Sequence, residues 1–202
     1  PPETEPSLYL ATELDDLMAS SHMGDINDLT KLSSFIKKTN PSVLFHMAAQ
    51  SIVRESFLDP IGTFETNILG TAKVIKAALE CESLEAIVII TSDKCYRNQE
   101  RNEGYKEDDP LGGDDPYSAS KACAEIISKS LRQSFFSDRS CKLATVRAGN
   151  VIGGGDWSKD RLIPDVITAC NNGDLLSIRN PKAIRPWQHV LEPLTGYLKL
   201  AE

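Results

Sequence analysis

The sequence predicts an α/β fold, a parallel sheet with helices on both faces. Three observations carry that reading. Val43-Leu44-Phe45-His46-Met47-Ala48-Ala49 and Ala86-Ile87-Val88-Ile89-Ile90 are short continuous apolar runs, the pattern of strands buried on both faces. Stretches with helical apolar spacing separate and follow them, so strand and helix alternate. Polar residues able to do chemistry stand just past the runs, and ligands of parallel sheets bind at the carboxyl ends of the strands.

The 202 residues suffice for a domain with a sizeable core, and the composition (41% hydrophobic, 25% charged) is that of a globular protein. A net charge of −7 without a cluster of Lys and Arg argues against nucleic acid as a partner. No apolar run approaches the roughly 18 residues of a membrane span. Cys81, Cys95, Cys123, Cys141 and Cys170 form no Cys-x-x-Cys pair, and their odd number points to ordinary thiols in a reducing, cytoplasmic setting. His22, His46 and His189 form no metal-binding pattern, so no metal is expected.

Leu29, Leu32, Phe35 and Ile36 share a helical face over residues 28–39, which Pro41 ends. The first apolar run follows. Ile61, Phe64, Ile68, Ala72, Ile75 and Leu79 predict one long helix over residues 61–80, and the second run leads straight into Thr91-Ser92-Asp93-Lys94. Residues 95–115 read as a loop of functional length. A helix then opens at Pro116 behind Asp115 as N-cap, with Ala122, Ile126 or Ile127, Leu131 and Phe135 expected on its inner face. Lys142 to Arg147 reads as a third strand, followed by Ala148-Gly149-Asn150-Val151-Ile152-Gly153. A helix near 161–172 stopping at Gly173, a short strand from Leu175 to Ile178, a loop through Trp187 and His189, and a last helix near 193–202 complete the chain.

Tyr117 and Lys121 lie four apart on the predicted helix and share a face. An ammonium beside a phenol stabilises the phenolate, which suits a tyrosine for proton transfer with a sugar hydroxyl. Spacing alone is weak evidence, because this composition yields about 0.3 such pairs by chance. Ser92-Asp93 by itself reads more readily as a turn closing a strand, while Lys94 also reads as a solvated loop residue and Asn67 as an exposed polar residue. His46 reads as a group satisfying buried backbone, and Trp187 as a core residue or a base-stacking one.

Taken together, Thr91-Ser92-Asp93-Lys94, Tyr117-x-x-x-Lys121 and Arg147-Ala148-Gly149-Asn150-Val151-Ile152-Gly153 resemble the extended short-chain dehydrogenase/reductase family, and within it the nucleotide-sugar 4,6-dehydratases. His46-Met47-Ala48-Ala49-Gln50, Arg147 to Trp157, Asp160 to Pro164 and Ile184 to Val190 are most similar to the branch acting on CDP-glucose, and the likeness runs from about Leu14 onward. The resemblance implies a Rossmann-like domain over residues 1–150, part of a nucleotide-sugar-binding region over 151–202, bound NAD, and a homodimer formed through the helices around 61–80 and 117–137. Such enzymes serve deoxysugar biosynthesis, including that of lipopolysaccharide O-antigen.

It also implies site roles. Tyr117 with Lys121 would take the C4 hydroxyl proton, Ser92 would bond the C4 oxygen, and Asp93 would be the acid for the C6 hydroxyl. Lys94 departs from the glutamate base common in the wider family; as a base it must be neutral, which needs desolvation or nearby cations. Asp25 and Ile26 would contact the adenine, and Ala48, Ala49, Gln50, Asn67 and Thr91 would lie along the cofactor. Asn150 and Arg185 would hold the substrate diphosphate, with Arg161, Leu162 and His189 near the nucleotide. The family's Gly-rich phosphate turn has no counterpart here, since the first glycine is Gly24. The expectation is therefore an internal piece of a larger enzyme, inactive and a poor binder of NAD by itself. A dehydratase, epimerase or decarboxylase for another nucleotide sugar, and a silent nucleotide-sugar-binding fragment, are the alternatives.

Overall fold

The computed structural model describes residues 4–178 and 180–202, grouped in two compact units. One comprises Gly24–Ala148 with Leu194–Glu202; the other comprises the stretch ending at Met23 with Gly149–Pro193.

In chain order the helices are α1 (Leu8–Ala11), α2 (Leu14–Leu17), α3 (Leu29–Thr39), α4 (Val53–Leu58), α5 (Pro60–Phe64), α6 (Thr71–Ala78), α7 (Pro116–Phe135), α8 (Leu162–Asn172) and α9 (Leu191–Ala201). The strands are β1 (Val43–His46), β2 (Ala86–Ile90), β3 (Lys142–Val146), β4 (Asn150–Ile152) and β5 (Trp187–His189).

In the larger unit β1, β2 and β3 form a parallel sheet in that order, with Val43 opposite Ala86 and Ala86 opposite Lys142. β1 is shorter than its apolar run, for pairing ends at His46 and the chain leaves the sheet at Met47. α6 packs against both α3 and α7, and Ile36, Ile75, Ala78, Leu84, Ile87, Ile89 and Leu143 meet in the core. This is a Rossmann-like arrangement of parallel strands and helices.

The helix expected over 61–80 is present with a modification. α5 and α6 are joined without a break by a π-helical turn, Glu65–Gly70. Its first half also shows the core a different face, burying Thr63, Asn67, Gly70 and Thr71 and leaving Ile61 64% exposed. α7 follows the expectation in part: Ala122 is buried, Leu131 packs on the core and Ile127 is half-buried, but Ile126 and Phe135 are more than half exposed. Its buried side is Tyr117, Ser118, Ser120, Lys121, Ala122, Ala124, Glu125 and Ser128. Where α7 meets the π turn and α5, small and hydrogen-bonded side chains permit closer approach than the expected isoleucines.

In the smaller unit β4 pairs with β5 in parallel, Asn150 opposite Trp187 and Ile152 opposite His189. The loop expected through 187–189 is thus a strand. Residues 175–178, expected as a strand, are irregular, and Leu175 is fully exposed, for the partner position beside β4 is taken by β5. Gly149 lies against Pro186, where a Cβ would come within 2.8 Å of its carbonyl oxygen. α8 ends as expected, Gly173 adopting φ +71 and the Asp174 amide closing on the Ala169 carbonyl at 2.9 Å.

Candidate active site

The site in the larger unit is built at the carboxyl ends of β1, β2 and β3 and the start of α7. Each free donor at that helix start has a partner. Pro116 has no N–H, the Tyr117 amide donates to Ser56 Oγ at 3.2 Å, and the Ser118 amide donates to Asp115 Oδ1 at 2.9 Å. Ser118 Oγ adds a bond to Asp115 Oδ2 at 2.7 Å. Tyr117 is therefore fixed by its backbone, and its side chain is buried.

Lys121, one turn on, is 7% exposed and donates from Nζ to the Ile90 carbonyl at 3.2 Å. Burial lowers its pKa to about 8. It remains an ammonium at neutral pH, with two further N–H groups beyond the bond to Ile90.

Past Ile90 the chain forms a single 3₁₀ turn, Asp93–Cys95, capped by Ser92, whose Oγ accepts the Lys94 amide at 3.3 Å. Ser92 Oγ donates to Asp93 Oδ1 at 3.1 Å, and the Asp93 amide donates to the Ala148 carbonyl at 3.0 Å. Lys94 Nζ lies 5.9 Å from the centroid of the Tyr117 ring. The expected strand-closing turn is real, and it also delivers Lys94 to the tyrosine. Cys95 behind it is fully buried, and burial pushes its thiol up to about 12, so it is inert.

Asn67, expected on helix chemistry alone to be exposed, is 2% exposed. Its Oδ1 accepts the Gln50 amide at 2.9 Å, and its Nδ2 donates to the Gln50 carbonyl and to Ser120 Oγ, each at 2.9 Å. Ser120 Oγ donates in turn to the Tyr117 carbonyl at 2.7 Å. One amide thus joins the loop after β1 to the tyrosine helix. Ala48 is exposed and Ala49 half-buried on that loop, while Gln50 Nε2 bonds Thr63 Oγ1 at 2.8 Å.

His46 lies beneath, its Nε2 2.9 Å from Thr71 Oγ1, so its partner is a side chain and not the expected backbone. Thr71 Oγ1 donates to the Asn67 carbonyl at 2.7 Å, so it accepts from His46, which places the imidazole proton on Nε2. Burial, then the Lys121 charge, lowers the His46 pKa to about 4. Asp25 is exposed and holds an Asx turn through the Asn27 amide at 2.8 Å, while Ile26 packs onto Gly70.

The sequence reading missed Glu125 and Ser56. Thr91 Oγ1 donates to Glu125 Oε1 and, at 2.9 Å, to the Val146 carbonyl. Glu125 Oε2 accepts from Thr145 Oγ1 at 2.9 Å and forms an ion pair with Arg147 at 2.8 Å. Burial raises the Glu125 carboxyl, but the bonds from Arg147 and Thr91 outweigh it and hold it below the usual range. The four-residue spacing of Tyr117, Lys121 and Glu125 was the available signal. For Ser56 the sequence carries none.

The residues expected at the substrate lie in the smaller unit. Asn150 opens β4, its amide bonded to the Pro186 carbonyl at 3.1 Å, and His189 ends β5, its Nδ1 accepting the Leu191 amide at 3.3 Å. Arg161 stands at the start of α8, 3.5 Å from Asp156, followed by exposed Leu162, while exposed Arg185 donates to its neighbour Ile184's carbonyl. Trp187 in β5 is 43% exposed, which removes the core reading for it within the described residues. A cleft of about 290 Å³ beside α8 is lined by other side chains, among them Trp157, Lys159, Asp165 and Asp174.

Among the described residues no group of three or more His, Cys, Asp or Glu side chains is placed to hold a metal, and no helix is long and apolar enough to cross a membrane. Residues 8–201 match the family described as GDP-mannose 4,6 dehydratase. The chain belongs to that family. Among its relatives, this dehydratase-family chain is 51% identical to a CDP-glucose 4,6-dehydratase of Salmonella typhimurium, over 98% of the chain and 56% of the relative. A dTDP-glucose 4,6-dehydratase of Streptomyces griseus is 30% identical over 75% of the chain and 44% of its own length. In structure it is similar to the dTDP-glucose 4,6-dehydratase DesIV of Streptomyces venezuelae, a double mutant with NAD and DAU bound. That likeness has a TM-score of 0.79 at 25% identity and covers 89% of this chain and 53% of the other. The chain spans about half the length of these relatives.

Proposed function

We propose that the intact protein is a nucleotide-sugar 4,6-dehydratase that converts CDP-glucose to CDP-4-keto-6-deoxyglucose. The observation that carries the reading is the convergence of Ser92-Asp93-Lys94 on Tyr117, with Lys94 Nζ 5.9 Å from the ring and Lys121 buried one turn away. The 51% identity to the Salmonella CDP-glucose enzyme supports the choice of substrate.

The residues suit a dinucleotide: exposed Ala48 offers open backbone after β1, Asp25 an exposed carboxylate, and Lys121 N–H groups beyond its bond to Ile90. NAD, when bound, would supply a reversible hydride acceptor for C4 and C6. Tyr117 takes the C4 hydroxyl proton, its phenolate favoured by the Lys121 ammonium. Ser92 donates to the C4 oxygen. The 4-ketone acidifies C5, and Lys94 removes the C5 proton or stabilises the enolate. Asp93 protonates the departing C6 hydroxyl, which leaves as water. A hydride at C6 and a proton at C5 then complete a 4-keto-6-deoxy sugar with no net redox change. Asn150 and Arg185 hold the diphosphate, with Arg161, Leu162 and His189 at the nucleoside.

The enzyme works in the cytoplasm, in keeping with its free thiols, and as a homodimer. Phe57, Leu58, Ile61, Leu69, Ile126 and Phe135 support the dimer, since all are exposed on α4, α5, the π turn and α7.

The test is incubation of the intact protein with CDP-glucose and NAD, following the alkaline absorbance of the keto sugar and deuterium incorporation at C5 in heavy water. Both signals are expected. A C4 epimer with no keto sugar, or no product, would refute the assignment.

A further inference from the structure

We infer that Glu125 and Arg147 are positioning residues that hold the Ser92-Asp93-Lys94 turn at a fixed offset from Tyr117 and Lys121, with the loop after Cys95 clamped onto them. The inference rests on the reaction proposed above. Glu125 continues the stripe of Tyr117 and Lys121 along α7, and its side chain is 5% exposed. Its carboxylate binds three donors from the other arm of the site: Thr91, which immediately precedes Ser92, and Thr145 and Arg147 at the end of β3. Arg147 adjoins Ala148, whose carbonyl receives the Asp93 amide. A shift of the ion pair therefore moves the acid by two routes, through Thr91 and through Ala148.

A buried ion pair is a poor device for stability alone, because apolar replacements are often neutral or stabilising. It is a good device for fixing geometry, because each carboxylate oxygen accepts only along set directions. The far side of Arg147 points to the same role. Its guanidinium lies 4.9 Å from the Tyr96 ring, and Tyr96 stacks on Tyr105 with centroids 5.0 Å apart and 17° between planes. Arg101 lies 4.3 Å from the Tyr105 ring and pairs with Asp109. The loop is closed by the Tyr96–Leu111 bridge, so this column of two stacked rings between two cations presses a long connection onto the ion pair.

Glu125→Gln tests the inference in the intact protein, with Glu125→Gln/Arg147→Met as the variant that leaves no lone buried charge should the single one fold poorly. Amide exchange at Asp93 and Cys95 is expected to quicken about tenfold or more, with Ile87 to Ile89 unchanged. In single turnovers of CDP-glucose, C4 oxidation, which uses Ser92 of the same turn, is expected to fall by no more than about tenfold while water elimination falls on the order of 10²-fold or more, so reduced nicotinamide accumulates. A structural role alone would lower both steps in parallel. That parallel loss, or unchanged exchange at Asp93, would overturn the inference. A wild-type protein that processes no nucleotide sugar would instead refute the proposed reaction, and exchange at Asp93 would still decide the positioning role.

Discussion

Replacing Lys121 by Met separates what the buried ammonium costs from what it does. Burial lowers its pKa from 10.5 to about 8. At about 1.4 kcal/mol for each pKa unit, that corresponds to about 3 kcal/mol of destabilisation while the group is charged in both states. Met keeps most of the stem's packing. It also leaves the Ile90 carbonyl without its donor, at a cost of about 1–3 kcal/mol, so the net gain near neutral pH is about 1 kcal/mol. The pH dependence is the sharper signature. Between about 8 and 10.5 the unfolded chain holds the Lys121 proton while the folded protein has lost it, so wild-type stability rises with pH across that window. The variant lacks this rise, and its advantage should shrink and reverse as the wild type sheds its charge. Urea unfolding of both proteins, from about pH 7 to about pH 10, measures the difference directly. A difference that does not change with pH would refute the claim that Lys121 is buried as a costly cation. Catalysis should be lost in the variant, and wild-type activity should decline above about pH 8, where the ammonium disappears.

His46, neutral when folded, should make the protein acid-sensitive: its pKa of about 4 against 6.5 means the unfolded chain gains the proton first, and about 3 kcal/mol of stability is lost as pH falls through that interval. His46→Gln, which can still donate to Thr71, should remove that loss, and an unaltered acid transition by circular dichroism would contradict the assignment. Gly113→Ala should cost about 1–3 kcal/mol and fray the start of α7, because the added Cβ would sit 2.4 Å from Ser118 Cβ and 2.5 Å from the Ala119 nitrogen. Thermal unfolding with amide exchange at Ser118 reports it, and a wild-type Tm would show that the contact relaxes freely. Lys94→Ala should abolish deuterium uptake at C5 of the sugar while C4 oxidation persists; undiminished uptake and turnover would remove Lys94 from the chemistry.

What could be read without coordinates follows physical lines. The apolar run at 86–90, the Asp115-Pro116 start of α7 and the Gly173 stop are local signals, and each formed where its chemistry indicated. The shared face of Tyr117 and Lys121 depends only on helical repeat. Burial of polar side chains was not legible, because an asparagine pattern looks the same whether solvent or a partner amide satisfies it. Asn67 needs Gln50 and Ser120, residues 17 and 53 positions away in the chain. The face of α5 and part of that of α7 were misread for the same reason: Thr63 and Ser120 take inner positions and bond Gln50 and Asn67, which are distant in the chain. β5 escaped because exposed Trp187 and His189 around half-buried Gln188 carry no apolar run, and only the β4 partner makes them a strand.

The π turn at Glu65–Gly70 carries a consequence for how the chain tolerates insertion and deletion. An α-helix advances about 100° per residue, and a π turn absorbs one additional residue without ending the helix. Removing one residue from this turn would let the segment close into uninterrupted α-helix from Pro60 to Ala78 with both halves still in phase. Closing it with every residue retained would instead put the two halves out of phase by about 100°: with Val74 and Ile75 kept in the core, Thr63 would swing away from Gln50, and with Thr63 kept, the core side chains would turn outward. The turn thus acts as a phase adjuster between an apolar half that anchors the helix and a polar half that serves the site. A homologue of equal length lacking it would have to rebuild one half or the other, whereas one shorter by a single residue would keep both.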